Sequence, residues 1–108
     1  MIVTVNDSGF ALVKFVQGEP TSLRAFLDDP SFASVFADAF ITDLVIDFEN
    51  AGMIAADVVG IFVLAKNMQT AKSGTLRVLN LSGPAVERAA TLGIKITKEV
   101  DNEEKYEN

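Results

Sequence analysis

The chain has 108 residues, of which 49% are apolar, with nine basic and fifteen acidic side chains and a formal charge of −6. That length and apolar content describe one small domain with a core rather than a disordered segment. Cys and His are both absent, which excludes disulfide frameworks, thiolate–imidazole metal sites, Cys nucleophiles and any relay that needs a histidine.

Ile2 to Val5 is a short β-branched run, and Phe10 to Val16 resumes it after the turn cluster Asn6-Asp7-Ser8-Gly9, so a hairpin is expected. Gly18 and Pro20 break the second strand. Thr21 or Ser22 can cap a short helix carrying Leu23, Phe26 and Leu27. Asp29-Pro30 starts a second helix, because Asp caps well and Pro is favoured at the first helical position. In it, Phe32, Val35, Phe36, Ala39 and Phe40 follow the spacing of an apolar helical stripe.

Asp43-Leu44-Val45-Ile46-Asp47-Phe48 reads as a strand covered on both faces, followed by a loop at Glu49-Asn50-Ala51-Gly52. A helix is expected from about Ala56 to Ala71, ended by Ser73-Gly74, with Val58, Ile61, Phe62, Ala65 and Met68 on its core side. Thr75 to Asn80 is the next strand, Gly83-Pro84 opens a helix that Gly93 stops, and Ile94 and Ile96 form the last strand. Strands alternating with helices predict an α/β fold: a small, open, largely parallel sheet of four to five strands, with an N-terminal β-hairpin and flanking helices. Residues 1–100 are expected to form the domain, and the acidic tail 101–108, with no apolar period, to fray.

The charge is unevenly placed. Residues 1–65 carry nine acids against two bases, whereas residues 66–100 carry six bases against two acids. Those bases are scattered and have no interleaved aromatics, which disfavours nucleic acid as a partner. The longest apolar stretch, Val58 to Ala65, is eight residues, against about 18 for a membrane span. The opening Met-Ile-Val-Thr-Val has no basic leader pattern, so a cytoplasmic protein without membrane insertion is expected. No motif calls for a cofactor or a metal.

The segments Leu44–Phe48, Met53–Gly60, Gly74–Ser82, Val86–Arg88 and Leu92–Ile94 together resemble the STAS domain, the family of anti-sigma factor antagonists and of the cytoplasmic domains of sulphate transporters. The resemblance implies a bacterial protein-interaction module in signalling and transcription regulation, not an enzyme, whose partner is an anti-sigma factor or switch kinase. It also implies a phosphoacceptor Ser or Thr in the loop at the start of the helix after the central strand, where an added phosphate breaks the complex by placing charge in a packed interface. This chain departs from that pattern. The equivalent positions are Ala55, Ala56, Asp57 and Val58, and no Ser, Thr or Tyr occurs from Asp43 to Gln69.

Asp57 is then either a helix-capping acid or a fixed negative charge standing where relatives carry a phosphate. Val59 and Val63, beside Lys66, are either core or an exposed strip that docks a partner, and a homodimer would cover such a strip as well. The partner-binding candidates are therefore Asp57, Val59, Val63 and Lys66. Other readings are a STAS subunit of a lipid-transport or stress-signalling complex, a receiver-like switch phosphorylated on Asp47, or a small-ligand sensor that uses the sheet edge. A receiver needs an acidic pair near Asp47 for Mg²⁺, and the acids at hand are Asp7 and the Asp28-Asp29 pair.

Overall fold

The computed structural model describes residues 1–97; the expected tail at 101–108 lies outside them. The N-terminal hairpin forms as expected, β1 (Ile2–Val5) running antiparallel to β2 (Phe10–Lys14), with Val3 opposite Val13. From β2 onward the sheet is parallel. β4 (Asp43–Asp47) pairs with β2, β6 (Thr75–Leu79) with β4, and the two-residue β7 (Ile96–Thr97) with β6, giving the order β1-β2-β4-β6-β7. The fold is α/β with five mostly parallel strands. Ile94 lies outside the last strand, which begins two residues later.

The helices follow from their caps. In α1 (Leu23–Leu27), the Ser22 hydroxyl accepts from the Ala25 N–H; in α2 (Pro30–Ala37), Asp29 Oδ1 accepts from the Phe32 N–H, with Pro30 at the first position. The predicted stripe of α2 ends early. Phe32 and Val35 are buried, but the helix stops at Ala37 and leaves Phe40 58% exposed. α3 (Val59–Ala71) and α4 (Pro84–Thr91) complete the set.

Two elements have no counterpart in the sequence reading. β3 (Glu19–Thr21) and β5 (Ala51–Ile54) pair in parallel as a separate two-stranded sheet, where Pro20 suggested a break and Ala51-Gly52 a loop. The pairing is short and irregular between Glu19 and Thr21, so neither strand shows a clear alternation. Gly52 makes the close approach workable, since a Cβ there would collide with the Gly18 carbonyl oxygen.

The strand positions facing the helices are Ala11, Val13 and Phe15, then Leu44, Ile46 and Phe48, then Val78; all join one core with Phe26, Phe32, Val35, Ile61, Phe62, Ala85 and Ala89 from the four helices. Sequential right-handed crossovers that always step in the same direction put all helices on that one face. Val45, on the other face between Leu12 and Arg77, is buried outside this cluster. Thus Leu44, Val45 and Ile46 are all buried, as their apolar run predicts.

The core is aromatic at the carboxyl ends of the strands. Phe15 stacks on Phe48 with centroids 5.2 Å apart, Phe26 meets Phe15 edge-on at 5.9 Å, and Phe62 meets Phe48 edge-on at 5.7 Å. These contacts tie α1 and α3 to the same end of the sheet. At the opposite end, α3 carries Gln69, not Met68, into the interior. Gln69 is 1% exposed, and its Nε2 donates to the carbonyls of Ile41 and Thr75, so the buried amide is satisfied. Met68 is exposed.

Candidate functional site

The segment Ala55 to Val58 connects β5 to α3 at the carboxyl end of the sheet. Ala55 is extended, and its N–H donates to the Thr21 carbonyl at 3.0 Å. Ala56–Val58 make one turn of 3₁₀ helix, closed by the Val58 N–H donating to the Ala55 carbonyl, and α3 follows without a break. The expected helix start at Ala56 is therefore a 3₁₀ turn. This turn lies between α1 on one side and α4 on the other.

Asp57 is exposed on that turn. It does not cap its own helix. Its Oδ1 accepts from the Leu23 N–H, the first amide of α1, at 3.1 Å. Ser22 supplies the other cap of α1 by accepting from Ala25. The two oxygens satisfy two of the free donors of one helix start, Leu23 and Ala25. Asp57 thus ties the β5–α3 turn to the segment after β3 while its charge stays in contact with solvent.

Of the candidate partner-binding residues, Val59 is corrected: it is 2% exposed and belongs to the core, because the first turn of α3 is enclosed by its neighbours and both Val58 and Val59 turn inward. Val63, at 38% exposure, lies on the outer side of the helix. Lys66 is exposed, further along α3, where it lines a cleft beside β6. Val63 and Lys66 are thus i, i+3 neighbours on the exposed side of α3, while Asp57 stands on the turn before the helix.

The site contains a residue that the sequence reading passed over. Met53, the residue of β5 two positions before Ala55, is 81% exposed, more than any other large apolar residue among those described. Its period was unreadable because the first half of β5, Ala51-Gly52, was read as loop and the rest was given no element. On the other side of the turn, Ala56, Pro84, Glu87, Arg88 and Thr91 line an open depression between the turn and α4. The amino end of α3 thus presents a bare thioether side chain, a carboxylate and the mixed charges of α4. Thr21, inside this region, is buried with a hydroxyl that meets no partner among the described residues.

Asp47 has a structural task. Its Oδ1 accepts from the Glu49 N–H and from Asn80 Nδ2, both at 2.9 Å, which joins the ends of β4 and β6. The acids that a receiver would need are elsewhere. Because Phe10 is level with Asp43 in the β2–β4 register, the hairpin turn holding Asp7 sits at the opposite end of the sheet from Asp47. Asp29 caps α2 and Asp28 pairs with Arg24 at 3.2 Å. Among the described residues no group of three or more Asp or Glu could hold a metal ion. No helix among them is long and apolar enough to cross a membrane.

No family model matches the chain, and no curated protein matches it. Among solved structures, the anti-sigma factor antagonist SpoIIAA in its unphosphorylated form superposes with a TM-score of 0.70 at 14% identity, over 98% of this chain and 94% of that one. The chain shares the fold of that protein. The STAS architecture that the resemblance between Leu44 and Ile94 implies is thus present over nearly the full length. At this identity the likeness lies in backbone architecture. In the STAS frame, the β5–α3 turn is the place where the resemblance expects an acceptor loop, and it holds Ala55, Ala56, Asp57 and Val58.

Proposed function

We propose that the chain is a non-catalytic protein-interaction module that binds an anti-sigma factor or switch kinase in a bacterial cytoplasm, as the antagonist of a partner-switching pathway. The surface it uses surrounds the amino end of α3. The exposure of Met53 beside the Asp57 turn carries this reading, because a large, flexible apolar side chain left in water at a turn is the kind of group that partner surfaces cover. The antagonist-like fold supports it.

The module does not switch by phosphorylation at this turn. From Asp43 to Gln69 there is no hydroxyl to accept a phosphate. Asp57 instead holds one permanent negative charge, about half or more of what a phosphate would bring. Its oxygen is already engaged with α1, so the charge is held in a fixed place.

The test uses an anti-sigma kinase encoded in the same genome. The expected result is a stable complex that persists after ATP and Mg²⁺ are added, with the intact mass of the chain unchanged. Failure to bind any such kinase, or loss of the complex on phosphorylation of this chain, overturns the reading.

A further inference from the structure

A second feature lies away from the Asp57 turn, on the helix face beyond the far edge of the sheet. The Thr75 N–H donates to the Thr42 carbonyl and the Phe48 N–H to the Leu79 carbonyl, so the odd-numbered residues of β6 direct their peptide groups to β4. The even-numbered ones face β7, as the bond from the Asn80 N–H to the Thr97 carbonyl confirms. β7 begins only at Ile96, opposite Val78. The ladder therefore stops short of Leu76, whose N–H and C=O face an open cleft of about 480 Å³ between α3, β6 and the α4–β7 connection.

The lining of this cleft is chemically one-sided. Lys66 stands on one wall and Lys95 on the other, with Thr70 nearby, and among the described residues no acidic one lines it. Neither lysine takes part in an ion pair among the described residues. Leu76, Val78 and Ile94 supply an apolar floor. Such a volume falls in the range of small-molecule sites, which pair apolar walls with a few polar groups. The chain as a whole carries a charge of −6, with its acids concentrated in residues 1–65, so an anion is better tolerated at this basic cleft than at that acidic part.

We propose that this cleft binds a small organic anion, a carboxylate or phosphate ester carrying an apolar group. The charge lies between Lys66 and Lys95 and accepts from the Leu76 N–H, which has no ladder partner among the described residues, while the apolar group covers Leu76, Val78 and Ile94. The site is independent of the partner surface around Asp57.

The probe is phenyl phosphate, followed by ¹H–¹⁵N NMR on the full chain, with inorganic phosphate and phenol titrated separately. Saturable shifts confined to the amides of Lys66, Thr70, Leu76, Ile94 and Lys95 are expected, with weaker binding of either fragment alone. Replacing both exposed lysines (Lys66→Gln with Lys95→Gln) should weaken phenyl phosphate about tenfold, as two solvent-exposed charge contacts would, without disturbing the spectrum of the free protein. Met53→Asp should leave the titration unchanged, which separates this site from the proposed partner surface. Shifts that are scattered or never saturate, an unchanged affinity in the lysine variant, or equal binding of inorganic phosphate alone would overturn the proposal.

Discussion

Asp57 carries two properties that a substitution can separate. As a hydrogen-bond acceptor it satisfies the Leu23 N–H, and as a carboxylate it sets a charge on the surface. Asp57→Asn keeps an acceptor oxygen and removes the charge, whereas Asp57→Ala removes both. Urea unfolding should show Asp57→Asn close to the parent and Asp57→Ala less stable by about 1 kcal/mol, the usual cost of a lost cap. Equal losses in the two variants would mean that the charge, not the bond, matters to the fold. The sequence marked Asp57 as a capping acid or a fixed charge but could not show which helix it caps. Its acceptor role reaches across 34 positions in the chain to Leu23, and no local pattern encodes a contact of that range. Val59 was ambiguous for a related reason. Helical spacing placed it at the margin of the buried face, and only the enclosure of the first turn of α3 by its neighbours decides that it lies inside.

At the scale of elements, the ends of α2 and α3 are fastened by Lys72. Its ammonium lies 3.0 to 3.3 Å from the carbonyls of Val35, Asp38 and Ile41 and from Gln69 Oε1, and its three N–H groups are shared among these four acceptors. A cation at the end of α2 also suits the negative pole of that helix. Each of these carbonyls keeps a second donor, from Asp38, Ile41 and Gln69 respectively. Gln69 Oε1, which is buried and has no other donor among the described residues, does not, so Lys72→Met leaves one acceptor unsatisfied and should cost about 2 kcal/mol. Burial lowers the Lys72 pKa below the usual 10.5, opposed by the nearby charge of Asp38. The unfolded chain then binds more protons in that interval, so this group makes stability rise as pH climbs toward 10.5. Denaturation of parent and Lys72→Met over a pH series that ends at 10.5 checks both points; a parallel pH dependence in the two would contradict the assignment. The long elements were legible in the sequence because caps and stripes agree at Ser22, Asp29-Pro30 and Gly83-Pro84. β3 and β5 were not, since three- and four-residue strands containing Pro20 and Gly52 resemble loops until they are seen side by side.

For the molecule as a whole, the parallel order of the sheet brings the β5–α3 turn, the start of α1 and the start of α4 to one end, above the cluster of Phe15, Phe26, Phe48 and Phe62. A rigid aromatic base beneath an exposed turn favours a preformed surface, and preformed surfaces lose less conformational freedom on binding. The hydrophobic periods and glycine stops between Leu44 and Ile94 were enough to anticipate the architecture, whereas Met53 could not be singled out because exposure depends on tertiary placement. The central claim is that this end of the molecule is the partner surface, and the most direct measurement is the affinity of the host anti-sigma kinase for the parent chain and for Met53→Asp, with the fold of each verified by urea unfolding. A charge at the centre of that contact should weaken the complex at least a hundredfold while leaving stability within about 0.5 kcal/mol, as expected for an exposed position. Equal affinity of the two proteins for the same kinase would contradict the account.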